Sequence, residues 1–225
     1  MKQQTTTSAD KPSADKSPVE VYFYLSSLIG YVRVVLVTYS LYIALEDYKT
    51  SIVCYTIAFI CDFFDGYVER WLDQRSNYHA ILDVVTDRCS TGGLLMILSH
   101  MYPSYLLVFM YLLNLDFASH WYHMYSCKGN HKRIGKDCNV LLRTYYGVYP
   151  FFGFCCIGTE LFYISLYLLY FDPLFKIPGT EYPLEKLCFN VCLPACVLKN
   201  MVNMVKLASA ASLVAQDDVN SKKEA

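Results

Sequence analysis

The chain has 225 residues, of which 55% are hydrophobic and only 17% are charged. Soluble domains carry about 25% charged residues, and the mean hydropathy here is positive, at +0.26. The aromatic share of 16% excludes a disordered chain. The net charge of −1 excludes the strongly basic surface of a nucleic-acid-binding protein, so we expect no nucleic-acid partner. The composition therefore favours a polytopic membrane protein that is surrounded by membrane lipids.

The first residues of the chain are polar. Residues 1–18 lack the apolar core of a signal peptide, so the first apolar segment is expected to direct insertion and to be retained. We expect residues 1–18 to form a disordered cytosolic tail. The membrane domain is then predicted over residues 19–215, with a cytosolic C-terminal tail over residues 216–225.

Six apolar segments follow the tail. Each is close to the length of about 20 mostly apolar residues that a membrane-spanning helix needs. The predicted fold is an all-α, polytopic membrane bundle of about six transmembrane helices. In chain order the segments cover about 25–45, 51–72, 82–101, 105–125, 145–170 and 189–215.

Basic residues are distributed unequally between the two sides of these segments, and cytoplasmic flanks carry the excess of Lys and Arg. The poorer side has only Lys49, Lys176 and Lys186. Both termini are therefore predicted to be cytosolic, which agrees with an even number of spans. The richer side has Lys2, Lys11, Lys16, Arg70, Arg75, Arg88, Lys128, Lys132, Arg133, Lys136, Arg143, Lys222 and Lys223.

Four carboxylates lie in the second and third segments, where a charge is costly unless it is paired, hydrated or bound to a metal. Asp62 and Asp65 are three residues apart, and Asp83 and Asp87 are four apart, so each pair shares one helical face. Two facing pairs would form an all-oxygen pocket, which suits Mg²⁺ or Mn²⁺. Gly66 removes a side chain beside that pocket and leaves room for a substrate.

The same acids allow two other interpretations. They could be structural carboxylates that pair with Arg70, Arg75 and Arg88, or they could line an ion or proton pathway. Their compact grouping at the ends of two neighbouring helices favours the metal site over the pathway. Farther along, the spacing of Asp116 and His120 indicates a polar contact between helices.

Residues 62–87 resemble the signature of the CDP-alcohol phosphatidyltransferase family, D-x2-D-G-x2-A-R-x8-G-x3-D-x3-D. Stretches 28–33, 82–91, 115–121, 142–146 and 160–163 are similar to the phosphatidylinositol synthase branch of that family. The resemblance covers about residues 20–215. The positions that match the signature are Asp62, Asp65, Gly66, Arg70, Asp83 and Asp87.

The resemblance implies a function and a set of residue roles. Phosphatidyl transfer from CDP-diacylglycerol to myo-inositol would release CMP, in the endoplasmic reticulum membrane and often in a homodimer. The Lys222-Lys223 pair resembles a dilysine retrieval signal of that compartment, although a solvated basic tail is the alternative. The implied metal ligands for two ions, Mg²⁺ or Mn²⁺, are Asp62, Asp65, Asp83 and Asp87, with Asp87 also the catalytic general base. The implied CDP-diacylglycerol-binding residues are Gly66, Arg70 and Ser76, and Arg143 is a candidate for the acceptor site.

Two positions depart from the family signature. Glu69 replaces the alanine, and His79 replaces the second glycine. Both add bulk on the side of the expected active site. They could tilt aside, with Glu69 pairing to Arg70 or Arg75, or they could join the site. They could also block the nucleotide and leave a weak or silent paralogue with a lipid-binding or regulatory role. A transferase for another alcohol is a further alternative.

Overall fold

The computed structural model of the protein describes residues 18–72, 76–127 and 149–224, and its named elements are helices. The predicted all-α fold is confirmed. A 3₁₀ turn over Pro103–Tyr105 joins α4 to α5, and a π-helical turn over Cys188–Cys192 joins α7 to α8. The α-helices are α1 (Pro18–Tyr22), α2 (Leu25–Ile43), α3 (Tyr48–Trp71), α4 (Asn77–Met101), α5 (Leu106–Cys127), α6 (Tyr149–Phe171), α7 (Leu184–Leu187) and α8 (Leu193–Glu224).

A long helix lies at each of the six predicted segments, but the helices differ in their suitability as spans. Helices α2, α3 and α6, and the run from α7 through α8, are each long and apolar enough to cross a membrane. Helices α4 and α5 meet the same test only as a pair, with a bend of 120° between them. Charged residues such as Asp83, Asp87 and Asp116 lower the hydropathy of that pair. The described residues thus hold four or five candidate spans, and the number six stays a prediction.

Two helices begin earlier than predicted because polar residues cap them. Helix α3 begins at Tyr48, where the Asp47 carboxylate accepts hydrogen bonds from the backbone amides of Lys49 and Thr50. The Thr50 side-chain hydroxyl and then its amide lower the pKa of Asp47. Helix α4 begins at Asn77, after Ser76, whose hydroxyl oxygen accepts a hydrogen bond from the His79 amide at 3.0 Å. Both residues satisfy amides that have no partner inside the helix.

The last helix is longer than predicted. It continues to Glu224 instead of ending at residue 215, and residues 216–224 contain no glycine or proline that would end it. The expected C-terminal tail is therefore helical as far as residue 224. The domain boundaries stay a prediction, and the expected N-terminal tail up to residue 17 lies outside the described residues.

Helix packing brings the two halves of the chain together. Helix α2 packs against α3 and α4, α4 packs against α5 and α6, and α8 packs against α5 and α6. A Cβ atom placed on Gly158 of α6 would lie only 2.5 Å from the Cβ of Ala195 in α8. Small residues at both positions therefore let the α6 and α8 backbones approach closely. This contact sets the positions of the residues that follow in both helices.

One part of the bundle, which we call the apolar half, is a packed hydrophobic core. Leu98 of α4 has no exposed surface, and the Tyr167 hydroxyl donates a hydrogen bond of 2.6 Å to the Ala44 carbonyl. Cys188 and Cys192 of the π-helical turn and Cys196 of α8, which are four residues apart, are buried here as packing residues. The main residues of this half are Leu94, Leu95, Leu98, Met101, Tyr163, Tyr167, Cys188, Cys192 and Cys196.

Candidate active site

In the other part of the bundle, which we call the acidic half, four carboxylates surround the guanidinium group of Arg33. Arg33 Nη1 lies 2.7 Å from Asp65 Oδ2 and 2.6 Å from Asp83 Oδ1. Its Nη2 lies 2.6 Å from Asp62 Oδ1 and 2.5 Å from Asp87 Oδ1. The structure therefore brings together all four aspartates that the spacing predicts. We call Asp62, Asp65, Asp83 and Asp87 the Asp quartet.

Local structure explains how the Asp quartet assembles. Asp62 and Asp65 lie near the end of α3, and Asp83 and Asp87 lie near the start of α4. Only residues 72–76 separate these helices, so the end of α3 and the start of α4 are neighbours. Helix α2 packs against both helices and places Arg33 between the two carboxylate pairs.

Arg33 is the main site residue that sequence patterns did not single out. It is only 3% exposed, and the four carboxylates of the Asp quartet surround its buried guanidinium group. The signal was present, since an arginine inside an apolar span indicates a functional site as strongly as an intramembrane carboxylate does. Of the arginines expected to pair with the acids, Arg88 approaches one, with its Nη2 atom 3.7 Å from Asp87 Oδ2. The Arg70 side chain and Arg75 lie outside the described part.

The donor set of the Asp quartet fits a divalent cation. Carboxylate oxygens of Asp62, Asp83 and Asp87 all lie within 4.8 Å of one another. Hard cations such as Mg²⁺ and Mn²⁺ prefer oxygen ligands of this kind. Asp65 contacts the same Arg33 guanidinium as the other three aspartates, and its side chain is buried.

A second polar network connects α4, α5 and α8. Arg88 Nη1 donates to Asp116 Oδ2 at 2.7 Å, and Asn203 Nδ2 donates to Asp116 Oδ1 at 3.1 Å. The predicted interhelical contact of Asp116 is confirmed. His120 Nδ1 lies 2.8 Å from the Asp116 carbonyl oxygen, and its Nε2 lies 2.9 Å from Lys206 Nζ. Because a carbonyl only accepts and an ammonium only donates, the His120 ring is neutral with its proton on Nδ1.

Glu160 lies at the centre of α6, in an otherwise apolar sequence. Its Oε1 atom accepts a hydrogen bond of 2.5 Å from the Thr91 hydroxyl, and its Oε2 atom accepts one of 3.3 Å from the Tyr55 hydroxyl. Thr91 belongs to α4 and Tyr55 to α3, so Glu160 joins three helices. Sequence alone did not identify these partners because they lie 69 and 105 residues away.

One cavity of about 400 Å³ connects these groups. Asp62 and Asp87 form the part of its wall that belongs to the Asp quartet. The other lysine, arginine, histidine and glutamate residues on its wall come from α2, α4, α5, α6 and α8. They are Arg33, Arg88, His120, Glu160, Lys199 and Lys206.

The remaining predicted site residues lie in different surroundings, and some lie outside the described part of the chain. Glu69 is partly exposed in α3, and Gly66 lies one turn after Asp62. His79 is 3% exposed, and its Nδ1 atom has no hydrogen-bond partner among the described residues. Ser76 serves as the cap of α4. Arg143 lies outside the described residues.

Comparison with known proteins identifies the family. The family model described as CDP-alcohol phosphatidyltransferase matches residues 23–213. The chain belongs to the CDP-alcohol phosphatidyltransferase family. The resemblance of residues 62–87 to the signature of this family is thereby confirmed, and the Asp quartet consists of the four aspartates of that signature. No solved structure matches the chain of this phosphatidyltransferase significantly.

Several curated relatives of this phosphatidyltransferase cover nearly all of its length, and all of those described here are named CDP-diacylglycerol–inositol 3-phosphatidyltransferase. The protein of Schizosaccharomyces pombe is 37% identical over 91% of this chain and 94% of its own. The human protein is 36% identical over 88% of this chain and 94% of its own. The Saccharomyces cerevisiae protein is 34% identical over 91% of both chains.

Proposed function

We propose that this phosphatidyltransferase moves the phosphatidyl group of CDP-diacylglycerol to a hydroxyl group of myo-inositol, giving phosphatidylinositol and CMP. The observation that carries the proposal is the assembled Asp quartet, in a chain whose full-length relatives bear the name of this activity. The acceptor oxygen forms a bond to the phosphorus that bears diacylglycerol. The bond from that phosphorus to the phosphate oxygen of CMP breaks, and CMP takes the electron pair.

The Asp quartet supplies the oxygen ligands that this chemistry needs. Asp62, Asp65 and Asp83 would hold two divalent ions, Mg²⁺ or Mn²⁺, and Asp87 would contribute to the same site. Bound ions of this kind neutralise charge on the diphosphate and on the leaving CMP. The close approach of the Asp62, Asp83 and Asp87 oxygens supports this assignment.

Asp87 is the proposed general base. It belongs to the Asp quartet and also borders the cavity, so an acceptor hydroxyl in the cavity can come within hydrogen-bond reach of its carboxylate. The proton of that hydroxyl passes to Asp87 as the new P–O bond forms. Arg33 Nη2, at 2.5 Å from Asp87 Oδ1, is a positioning residue for this carboxylate.

The donor side and the location remain proposals that rest on the family signature and on charge distribution. Gly66, Arg70 and Ser76 are proposed to bind CDP-diacylglycerol, and Arg143 to shape the acceptor side. We further propose a homodimer in the endoplasmic reticulum membrane with both termini in the cytosol. The unequal distribution of Lys and Arg supports that orientation.

A second candidate function is a silent paralogue that binds lipid without transferring it. The observation in its favour is His79, a buried ring with an unpartnered Nδ1 atom at a position where the family signature has glycine. Glu69 adds a negative charge close to where an anionic nucleotide would bind. If these side chains block the nucleotide, restoring Ala and Gly should increase the affinity for CDP-diacylglycerol.

The experiment that separates the candidates is CMP release from CDP-diacylglycerol by the purified protein in lipid–detergent micelles, with mass spectrometry of the lipid product. The proposed function predicts release that requires both Mn²⁺ or Mg²⁺ and myo-inositol, and that stops with EDTA. Release with a different alcohol only would change the assigned acceptor. No release by folded wild-type protein, with release gained by the Glu69→Ala/His79→Gly variant, would establish the silent paralogue.

A further inference from the structure

A second cavity, of about 790 Å³, lies outside the catalytic cavity that borders the Asp quartet. It runs between α5 and α8, and the ends of α4 and α6 and the short helix α7 complete it. We call it the lateral groove, and its main apolar wall residues are Val108, Leu112, Phe189, Val197 and Met201. Among the described residues, none lines both cavities, so the lateral groove is separate from the catalytic cavity.

The apolar wall of the lateral groove is open to the surroundings of the protein. Val108 is 51% exposed and Met201 is 49% exposed. A large concave apolar surface of this kind marks a site of ligand or membrane interaction. The unbranched side chains of Met201 and Met204 adapt to partners of variable shape. The π-helical turn over Cys188–Cys192 contributes Phe189 to the wall, and such turns are frequent at functional sites. In a bilayer, the acyl chains of lipids are the apolar groups that reach such a groove.

One end of the lateral groove is aromatic and lies far from the Asp quartet. Tyr102 and Tyr105 follow the last residue of α4 and line this end. The ring of Tyr102 contacts the ring of Tyr170 near the end of α6, with centroids 5.4 Å apart, so α4 and α6 end at the same level. From Asp87 to Met101, α4 rises about 21 Å at 1.5 Å per residue. The aromatic end therefore faces the membrane leaflet opposite to the Asp quartet.

The charge at this end is negative. Within the described part of the chain, Glu185 is the only residue on the wall of the lateral groove with a charged side chain. The Leu184 amide donates a hydrogen bond of 2.9 Å to the Phe175 carbonyl just beyond α6, so α7 holds Glu185 at the aromatic end. The neighbouring Lys186 is exposed and does not line the groove. A carboxylate beside tyrosine rings attracts an ammonium group through its charge and through the ring faces, whereas it repels an anionic headgroup.

We propose that the lateral groove binds a phospholipid with a zwitterionic ammonium headgroup, with an acyl chain on the apolar wall and the ammonium group at Glu185 and Tyr105. The exposed Lys186 suits the phosphate of the same headgroup, which distinguishes a zwitterionic lipid from a purely cationic amphiphile. The cavity volume of about 790 Å³ lies in the range of ligand sites, about 300–1,000 Å³. The anionic substrate and product of the proposed reaction do not match the charge of Glu185. The bound lipid is therefore a constituent of the surrounding membrane, and this inference does not depend on the proposed function.

The first test concerns the headgroup. Native mass spectrometry of the purified protein compares retention of phosphatidylcholine and phosphatidylglycerol with identical acyl chains, supplied in equal amounts. We expect wild type to retain phosphatidylcholine about fivefold better, and Glu185→Gln to retain both lipids about equally. Glu46→Gln removes the same charge from an exposed position outside the groove and should keep the wild-type preference. Equal retention of both lipids by wild type, or an unchanged preference in Glu185→Gln, would overturn the proposal.

The second test concerns the groove itself. Val108→Trp fills it, whereas Leu107→Trp adds the same ring at the next residue, which is 79% exposed and does not line the groove. Phosphatidylcholine added to detergent micelles should raise the Tm of wild type and of Leu107→Trp, because it binds the folded protein, and this rise should be lost in Val108→Trp. Met201→Trp fills the groove from α8 if Val108→Trp does not fold.

Two results of the second test would overturn the proposal. The first is a rise in Tm with phosphatidylcholine that is as large in the filled-groove variant as in wild type. The second is dissociation of an oligomer in that variant, measured by light scattering, with an unchanged response to phosphatidylcholine. That result would assign the lateral groove to a second copy of the chain instead of a lipid.

Discussion

The acidic and apolar halves of the bundle use the same helices in opposite ways. In the apolar half, α4, α6 and the start of the last span bury Leu98, Tyr167 and Cys188 in close packing. In the acidic half, the same helices bury Glu160 and Lys199 and hold the half-buried Asp87 around a cavity. Buried charges oppose folding, so the packed half has to offset the cost of the functional half. Substitutions in the two halves should therefore change different properties.

The largest effect is expected for Asp83→Asn in the acidic half. This change removes a negative oxygen ligand from the Asp quartet, so transfer should fall by about 10³-fold. CMP release measures transfer, and electron paramagnetic resonance measures Mn²⁺ binding, which should also weaken. Asp218→Asn changes an exposed carboxylate near the end of α8 and serves as the matched control. Wild-type transfer by Asp83→Asn would contradict the metal role.

Arg33→Gln tests how the Asp quartet is stabilised. Without the guanidinium, four carboxylates repel one another, and breaking a buried ion pair costs about 3–5 kcal/mol. Thermal denaturation in EDTA should therefore show a markedly lower Tm for Arg33→Gln than for wild type. Mn²⁺ should raise the Tm of this variant more than that of wild type, because the ion replaces the missing positive charge. Arg33→Lys keeps the charge and should lie between the two. Equal Mn²⁺ shifts in all three proteins would refute a shared role of Arg33 and cation.

Leu98→Ala tests the apolar half. Leu98 is fully buried, so its truncation leaves a cavity and should cost about 2–5 kcal/mol of unfolding free energy. Chemical denaturation in micelles measures this loss. The KM values for both substrates should stay at wild-type levels, because Leu98 does not border the catalytic cavity. A changed acceptor KM with unchanged stability would show that the two halves are not separable in this way.

The smallest effect is expected for Ser76, which caps α4 beside the Asp quartet. Ser76→Ala should lose about 1 kcal/mol of stability with its cap, and it should raise the KM for CDP-diacylglycerol a few-fold if its hydroxyl also binds the lipid. Ser76→Asp keeps an acceptor for the His79 amide but has no hydroxyl proton to donate. It should therefore recover stability without recovering the donor KM. Recovery of both would assign Ser76 to capping alone.

The positions of site residues could be predicted from the sequence where those residues are close together along the chain. Asp62 and Asp65, like Asp83 and Asp87, lie within one helical turn of each other, so helical periodicity places each pair correctly. The predicted third segment begins at about residue 82, whereas α4 begins at Asn77, because hydropathy marks the apolar part of a helix and not its polar first turn. The cap at Ser76 explains why residues 77–81 are helical.

Contacts between distant helices were not predictable in the same way. Arg33 reaches Asp87 across 54 residues, and Tyr55 reaches Glu160 across 105, so only helix packing reveals these pairs. The intramembrane positions of Arg33 and Lys199 were nevertheless visible in the sequence. Because Lys and Arg also mark the cytosolic ends of membrane spans, a basic residue in the sequence does not by itself indicate a buried site.

The central claim is that the Asp quartet transfers a phosphatidyl group with Asp87 as its base. The most direct test measures incorporation of isotope-labelled myo-inositol into lipid by wild type and Asp87→Asn, matched for CDP-diacylglycerol binding. Asparagine keeps the size of the side chain and an oxygen that accepts from Arg33, but it is a very poor base. We predict Mn²⁺- or Mg²⁺-dependent labelled phosphatidylinositol from wild type and a loss of about 10²-fold or more in the variant. Incorporation at the wild-type rate by Asp87→Asn would contradict the claim.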